Sequence, residues 1–180
     1  VYLSGRATLT TVGSVIHSNT ANGLGGGGVF LHHPQDTYVS ILTEIHSNTA
    51  GQDGGGVYLA GSTFTTVDSV IHSNTAGTSG GGIDLESSSS LSMKDSIVRD
   101  NTASKFGGGV FALSSLLINL ISTLFLANTA KEGSGGGAYV SVPLEVHIED
   151  SMFQLNIAMG TILSQGGGLA LSGVQDSLAL

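Results

Sequence analysis

Ile16-His17-Ser18-Asn19-Thr20-Ala21, followed by the glycine run Gly25 to Gly28, decides the fold, because versions of it return to the end of the chain. Asn19 recurs as Asn48, Asn74, Asn101, Asn128 and Asn156, at steps of 29, 26, 27, 27 and 28 residues, and an Ala stands two places after each. A Gly triplet follows each Asn: Gly26 to Gly28, Gly54 to Gly56, Gly80 to Gly82, Gly107 to Gly109, Gly135 to Gly137 and Gly166 to Gly168. A fixed period of this size marks a repeat architecture and outranks local propensity.

Between the landmarks, three short strand signals alternate with turn signals in every copy. The first follows the glycines, as in Val29-Phe30-Leu31 and Val57-Tyr58-Leu59; the second is Thr8 to Val12, Tyr38 to Leu42, Phe64 to Val67 and their equivalents; the third ends at the Asn, as in Val70 to His72. Of the 28 Gly, 19 lie in the six runs, so they read as fixed turns rather than a flexible linker. Three strands per coil of about 27 residues predict an all-β, right-handed parallel β-helix. About six and a half coils stacked at ~4.8 Å would give a rod about 30 Å long. Residues 1–180 read as a single β-helix domain. Val1-Tyr2-Leu3-Ser4-Gly5 matches Val57-Tyr58-Leu59-Ala60-Gly61, and Val174 to Leu180 reads as an unfinished copy. Neither end looks like a cap, which suggests a piece of a longer chain.

Two columns follow from this register. Ile16, Ile45, Ile71, Val98, Phe125 and Phe153 should point inward, each with Ser or Thr two residues earlier. The Asn column should form an internal ladder of stacked amides, each donating to the neighbouring coil and accepting from it. A tight corner explains the Gly triplets. A phosphate-binding loop does not, since no copy ends in Lys-Ser/Thr or opens a helix.

Composition narrows the function classes. A net charge of −8 argues against nucleic acid and anionic membrane surfaces. With only 10% charged residues, much of the surface must be Ser, Thr, Gly and Asn. The absence of Cys leaves no disulfide framework and no thiolate metal site. Val110 to Ala127 carries no charge, but Ser114, Ser115, Asn119, Ser122 and Thr123 interrupt it in repeat register, so no membrane-spanning segment is expected. The chain holds no Asn-x-Ser/Thr sequon, so any glycans it carries would be O-linked.

Gly136-Gly137-Ala138 and Gly81-Gly82-Ile83, with Phe125-Leu126-Ala127-Asn128 and Phe153-Gln154-Leu155-Asn156, resemble the paired short motifs of the chlamydial polymorphic outer-membrane proteins and related right-handed β-helix repeat proteins. Ile16, Ile45, Ile71 and Val98 replace the Phe in the earlier copies. The resemblance implies a secreted, surface-exposed passenger serving in adhesion or as a stalk, hence an extracellular or cell-surface location.

Four outward features are candidates for function. Alternation along the first strand puts Tyr2, Phe30, Tyr58, Phe111 and Tyr139 outward, interrupted by Asp84: five of the ten aromatics on one line. Such a line either stacks on sugars or a partner, or stabilises the sheet by ring contacts between coils. The outward side of the third strand gives Val15, Glu44, Val70, Ile97, Leu124 and Met152, with Leu126 beside it. An apolar row facing water suggests a cover, either another subunit or a further segment of the same longer chain. His17, His46 and His72 share one outward position, but a row is not a tetrahedral cage, and no metal or cofactor is expected. His32-His33-Pro34-Gln35-Asp36 is a loop insertion where binding could be grafted.

The sequence therefore favours a non-catalytic scaffold or adhesin segment contributing to a surface or filamentous assembly, with other subunits, further chain segments and glycans as partners. The alternative is a polysaccharide lyase, glycosidase or glycan-binding module on the same fold. Asp68, Asp95 and Asp150 sit at bends, where an Asx turn explains them. Arg6, Lys94, Arg99, Lys105 and Lys131 do not converge. An ice-binding threonine array begins at Thr10 and Thr65 but is broken by Val39, Ser92, Asn119 and His147.

Overall fold

The computed structural model describes residues 1–160, 166–173 and 178–179. The segment Val174 to Leu180, read above as an unfinished copy, lies mostly outside the described residues. Every described regular element is a strand, and all strand pairs are parallel between successive coils. The chain is a parallel β-solenoid of about six turns. One coil shows the plan: Val57–Ala60, Thr63–Val67 and Val70–His72 are the three expected strands, and the two-residue strand Thr75–Ala76 adds a fourth side. Stacking produces two seven-stranded and two six-stranded sheets.

Each corner is a residue in the left-handed region. In this coil they are Gly61 (φ +70°), Asp68 (φ 48°), Ser73 (φ 54°) and Gly80 (φ +63°). At the corner between the second and third strands the sequence is Gly13, Leu42, Asp68, Asp95, Ser122 and Asp150, all at positive φ. Asp tolerates this backbone better than most residues, so the three aspartates hold the bend. Leu42, at φ 50° and 62% exposed, has neither that tolerance nor a burial gain. Leu42→Gly should therefore raise stability by about 0.5–1 kcal/mol, read as a higher denaturant midpoint at unchanged slope.

Inward residues fill the rod in columns. Val57, Leu59, Phe64, Ile71 and Ala76 are fully buried in the coil above, and Tyr38 stacks on Phe64 at 4.8 Å and 4°. The core changes character along its length. Ser40 and Thr66 share a hydrogen bond of 2.8 Å, and Thr11 bonds the Tyr38 hydroxyl at 3.0 Å; in the later coils the same position carries Met93, Leu120 and Ile148.

The buried asparagine amides are matched by stacking. The Asn101 Nδ2 donates to Asn128 Oδ1 at 3.0 Å and to the Ile71 carbonyl at 2.9 Å, while its Oδ1 accepts from the backbone N and the Nδ2 of Asn74. The bonds between neighbouring amides continue from Asn19 to Asn156, and Asn48, Asn74, Asn101 and Asn128 are fully buried. A hydroxyl ladder runs at the opposite end of the third strand, with Ser69 Oγ donating to Val67 O at 2.8 Å and accepting from Thr43 N at 3.1 Å.

The glycine triplets are among the places where one coil comes closest to the next. A Cβ on Gly81 would overlap the Gly108 carbonyl oxygen and come within 2.6 Å of the Thr102 carbonyl carbon. The Thr-Ala side strand lies against the glycines of the preceding coil, which leaves little room for a side chain there.

Candidate functional site

The first sheet's outer face carries the aromatic column in strict register: Tyr2, Phe30, Tyr58, Asp84, Phe111, Tyr139 and Ala170. Its exposure differs from the open stripe that alternation suggested. Tyr2 is 61% exposed and Phe30, Tyr58 and Tyr139 are half-buried, but Phe111 is only 8% exposed and Asp84 is buried outright. The cover comes from the glycine turns, which fold back over this face. Gly80 stands directly against the Asp84 Cβ, Gly25 against the Tyr58 ring, and Phe106 packs on Tyr139 at 5.1 Å between ring centres. Two aromatic groups result, Tyr2–Phe30–Tyr58 with centroids 5.4 and 5.0 Å apart, and Phe106–Phe111–Tyr139. Asp84 separates them.

The third sheet's outer face has two columns. One is Val15, Glu44, Val70, Ile97, Leu124 and Met152; the other is His17, His46, His72, Arg99, Leu126 and Gln154. Val15 and Met152 are 55% and 58% exposed, and the members between them are half-buried against their neighbours. Exposed Val12 and Leu42 extend this apolar surface around the adjoining corner.

The three imidazoles stack face to face at 5.0 and 4.9 Å, within 6° of parallel. Each Nδ1 pairs with the hydroxyl of the following serine, Ser18, Ser47 or Ser73, which fixes the ring planes. His72 Nε2 lies 2.7 Å from Glu44 Oε1, and this contact draws the Glu44 carboxyl below the usual range. Burial, then the neighbouring His72, lowers the His46 pKa. Among the described residues no group of three or more His, Cys, Asp or Glu is placed to hold a metal ion.

The loop insertion at His32 to Asp36 is anchored from beneath. Buried Asp36 accepts from Ala7 N at 2.7 Å and from His33 N at 3.0 Å, which makes the carboxylate a staple for the loop. Asp68, Asp95 and Asp150 stand at corners of one column, Lys94 lies 3.9 Å from Asp95, and Arg99 lies 2.7 Å from Asp100. Among the described residues no helix is long and apolar enough to cross a membrane.

Compared with known protein families, with curated proteins and with solved structures, the chain matches none of them. The fold defines the class: a parallel β-helix repeat protein whose outer faces carry side chains in coil-by-coil columns.

Proposed function

We propose that the chain is a non-catalytic structural or adhesive rod segment, working outside the cell or at its surface, in the manner of the polymorphic outer-membrane passengers its repeats resemble. The observation that carries this reading is the apolar column Val15, Val70, Ile97, Leu124 and Met152, interrupted only by Glu44, which runs from coil to coil along the third sheet. An apolar line over the four consecutive coils of Val70, Ile97, Leu124 and Met152 suits lateral burial against another subunit or a further segment of the same polypeptide. A surface with few charges is consistent with packing into an array rather than with steering a charged ligand.

The test is a pair of substitutions on that column. Leu124→Asp with Met152→Asp should lower self-association or partner capture at least about tenfold, in line with the ~1–3 kcal/mol of apolar burial per side chain. Circular dichroism and the unfolding midpoint should change little, because neither side chain enters the core. Association unchanged by both substitutions would end this reading.

A glycan-binding module is the second reading, favoured by the exposed or half-exposed Tyr2, Phe30 and Tyr58 rings on one line beside His32. Rings so spaced could stack on successive sugars. Retention on immobilised polysaccharide that is lost with Tyr2→Ala and Tyr58→Ala, without turnover in the presence or absence of Ca²⁺, would select it over the scaffold. Turnover would select a carbohydrate-active enzyme.

A further inference from the structure

We propose that Asp84 makes the outer face of the first sheet an acid-closed latch: with its carboxyl protonated the middle coils stay sealed, and on ionisation the cover over this face is released. The outer column of the first sheet is regular except at one position. Six of seven coils place an aromatic ring or an alanine here, and the remaining one places a carboxyl group. Asp84 has no exposed surface, and neither of its oxygens has a hydrogen-bond partner. A buried carboxylate without donors is costly, whereas the neutral acid is tolerable.

The surroundings favour the neutral form from each side. Glu86 lies on the same strand, Tyr58 faces Asp84 from the neighbouring strand, and Asp53 approaches from the preceding glycine turn. On the other side the register partner is Phe111, which brings no charge. The Tyr58 hydroxyl is already directed to Glu86 Oε2 at 3.3 Å, and Asp53 already accepts from Ser79 N at 3.1 Å, so neither is committed to Asp84. Lys105 is the opposing cation in this neighbourhood, and it acts on Asp53. Burial first, then Asp53 and Glu86, hold the Asp84 carboxyl well above the ordinary carboxylate range. Asp53 is displaced the same way, mainly by burial.

The sign of the effect follows from linkage. The folded protein keeps a proton on Asp84 that the unfolded chain gives up near pH ~4, so folding binds protons above that pH. The contribution of Asp84 is full in acid and declines as pH rises from about 4 toward the raised native value. Each unit of elevation is about a tenfold loss in the folding constant once both forms are ionised. The turn at Gly80 is a candidate for local release because backbone hydrogen bonds tie it to the neighbouring coils, from Gly80 N to Phe106 O and from Gly54 N to Ser79 O, and such bonds can open locally.

Denaturant unfolding of the wild-type protein from pH 4 to 7.5 should show the folding constant falling at least about tenfold, and Asp84→Asn should flatten that dependence. Hydrogen exchange should show protection lost with rising pH over residues 77–86, with no matching loss over Ala138–Ser141. Where Asp84→Asn fails to fold, Asp84→Ala replaces it, since Ala170 already occupies this column. Carboxyl ¹³C titration of the wild type gives a readout that needs no variant. A midpoint for Asp84 at or below the ordinary aspartate value, or a pH dependence of stability that survives its replacement, would overturn the proposal.

Discussion

Asn101→Ala should cost about 3–5 kcal/mol and lower the unfolding midpoint more than the loss of a partly exposed apolar side chain would. The substitution removes no large apolar volume, so its cost is the cost of orphaned partners. Four hydrogen bonds end on this side chain: from Asn74 N and Asn74 Nδ2 to its oxygen, and from its nitrogen to Asn128 Oδ1 and Ile71 O. The Asn74 side chain is fully buried, so the groups left behind have no route to water. Asn101→Asp should be nearly as damaging at any pH, because a carboxylate cannot donate to Asn128 or Ile71 and the neutral acid can donate to only one of them. Denaturant melts of the two variants beside Asn19→Ala make the comparison internal, since Asn19 is exposed at its end of the ladder and should cost much less.

Gly81→Ala is the second large effect, about 3 kcal/mol or more, with failure to accumulate folded protein as its extreme form. The added methyl would meet backbone on the next coil, at Gly108 and Thr102, and backbone cannot rotate away as a side chain can. Relief would require separating two coils, which breaks the hydrogen bonds from Gly81 N to Gly107 O and from Gly82 N to Gly109 O. Gly23→Ala is the matched control. Nothing lies within 4 Å of a Cβ there, and the expected change is within about 0.5 kcal/mol.

These residues were legible in the sequence for a physical reason. In a stacked coil every position meets its own copy, so whatever satisfies the contact once must satisfy it at each step, and the requirement surfaces as a period. Asn19 to Asn156 and the Gly triplets are requirements of that kind. The inward Ile16, Ile45, Ile71, Val98, Phe125 and Phe153 follow from alternation alone, and Phe125 does stack on Phe153 at 4.6 Å.

Other features were hidden because their cause is not local. The Thr-Ala side strand is two residues long, too short for any periodicity to announce it. Alternation gave Asp84 and Phe111 their outward direction, yet both are buried by glycine turns whose path over the sheet no strand pattern encodes. The corners at Leu42, Val142 and Leu155 adopt positive φ with residue types that do not advertise it, because the flanking strands dictate the bend. The outer columns present a different case. Their register was readable from the repeat, but the partner surface proposed for them lies beyond these coils, where no pattern in them reaches.

That partner surface is tested most directly by electron microscopy of the native particle that contains this chain, at a resolution that traces the coils. The expected result is a filament or lateral array in which the Val70, Ile97, Leu124 and Met152 side of the rod is buried against a neighbouring subunit or another segment of the same polypeptide. A discrete particle with that side open to solvent, and with an acidic groove that cleaves polysaccharide, would contradict it.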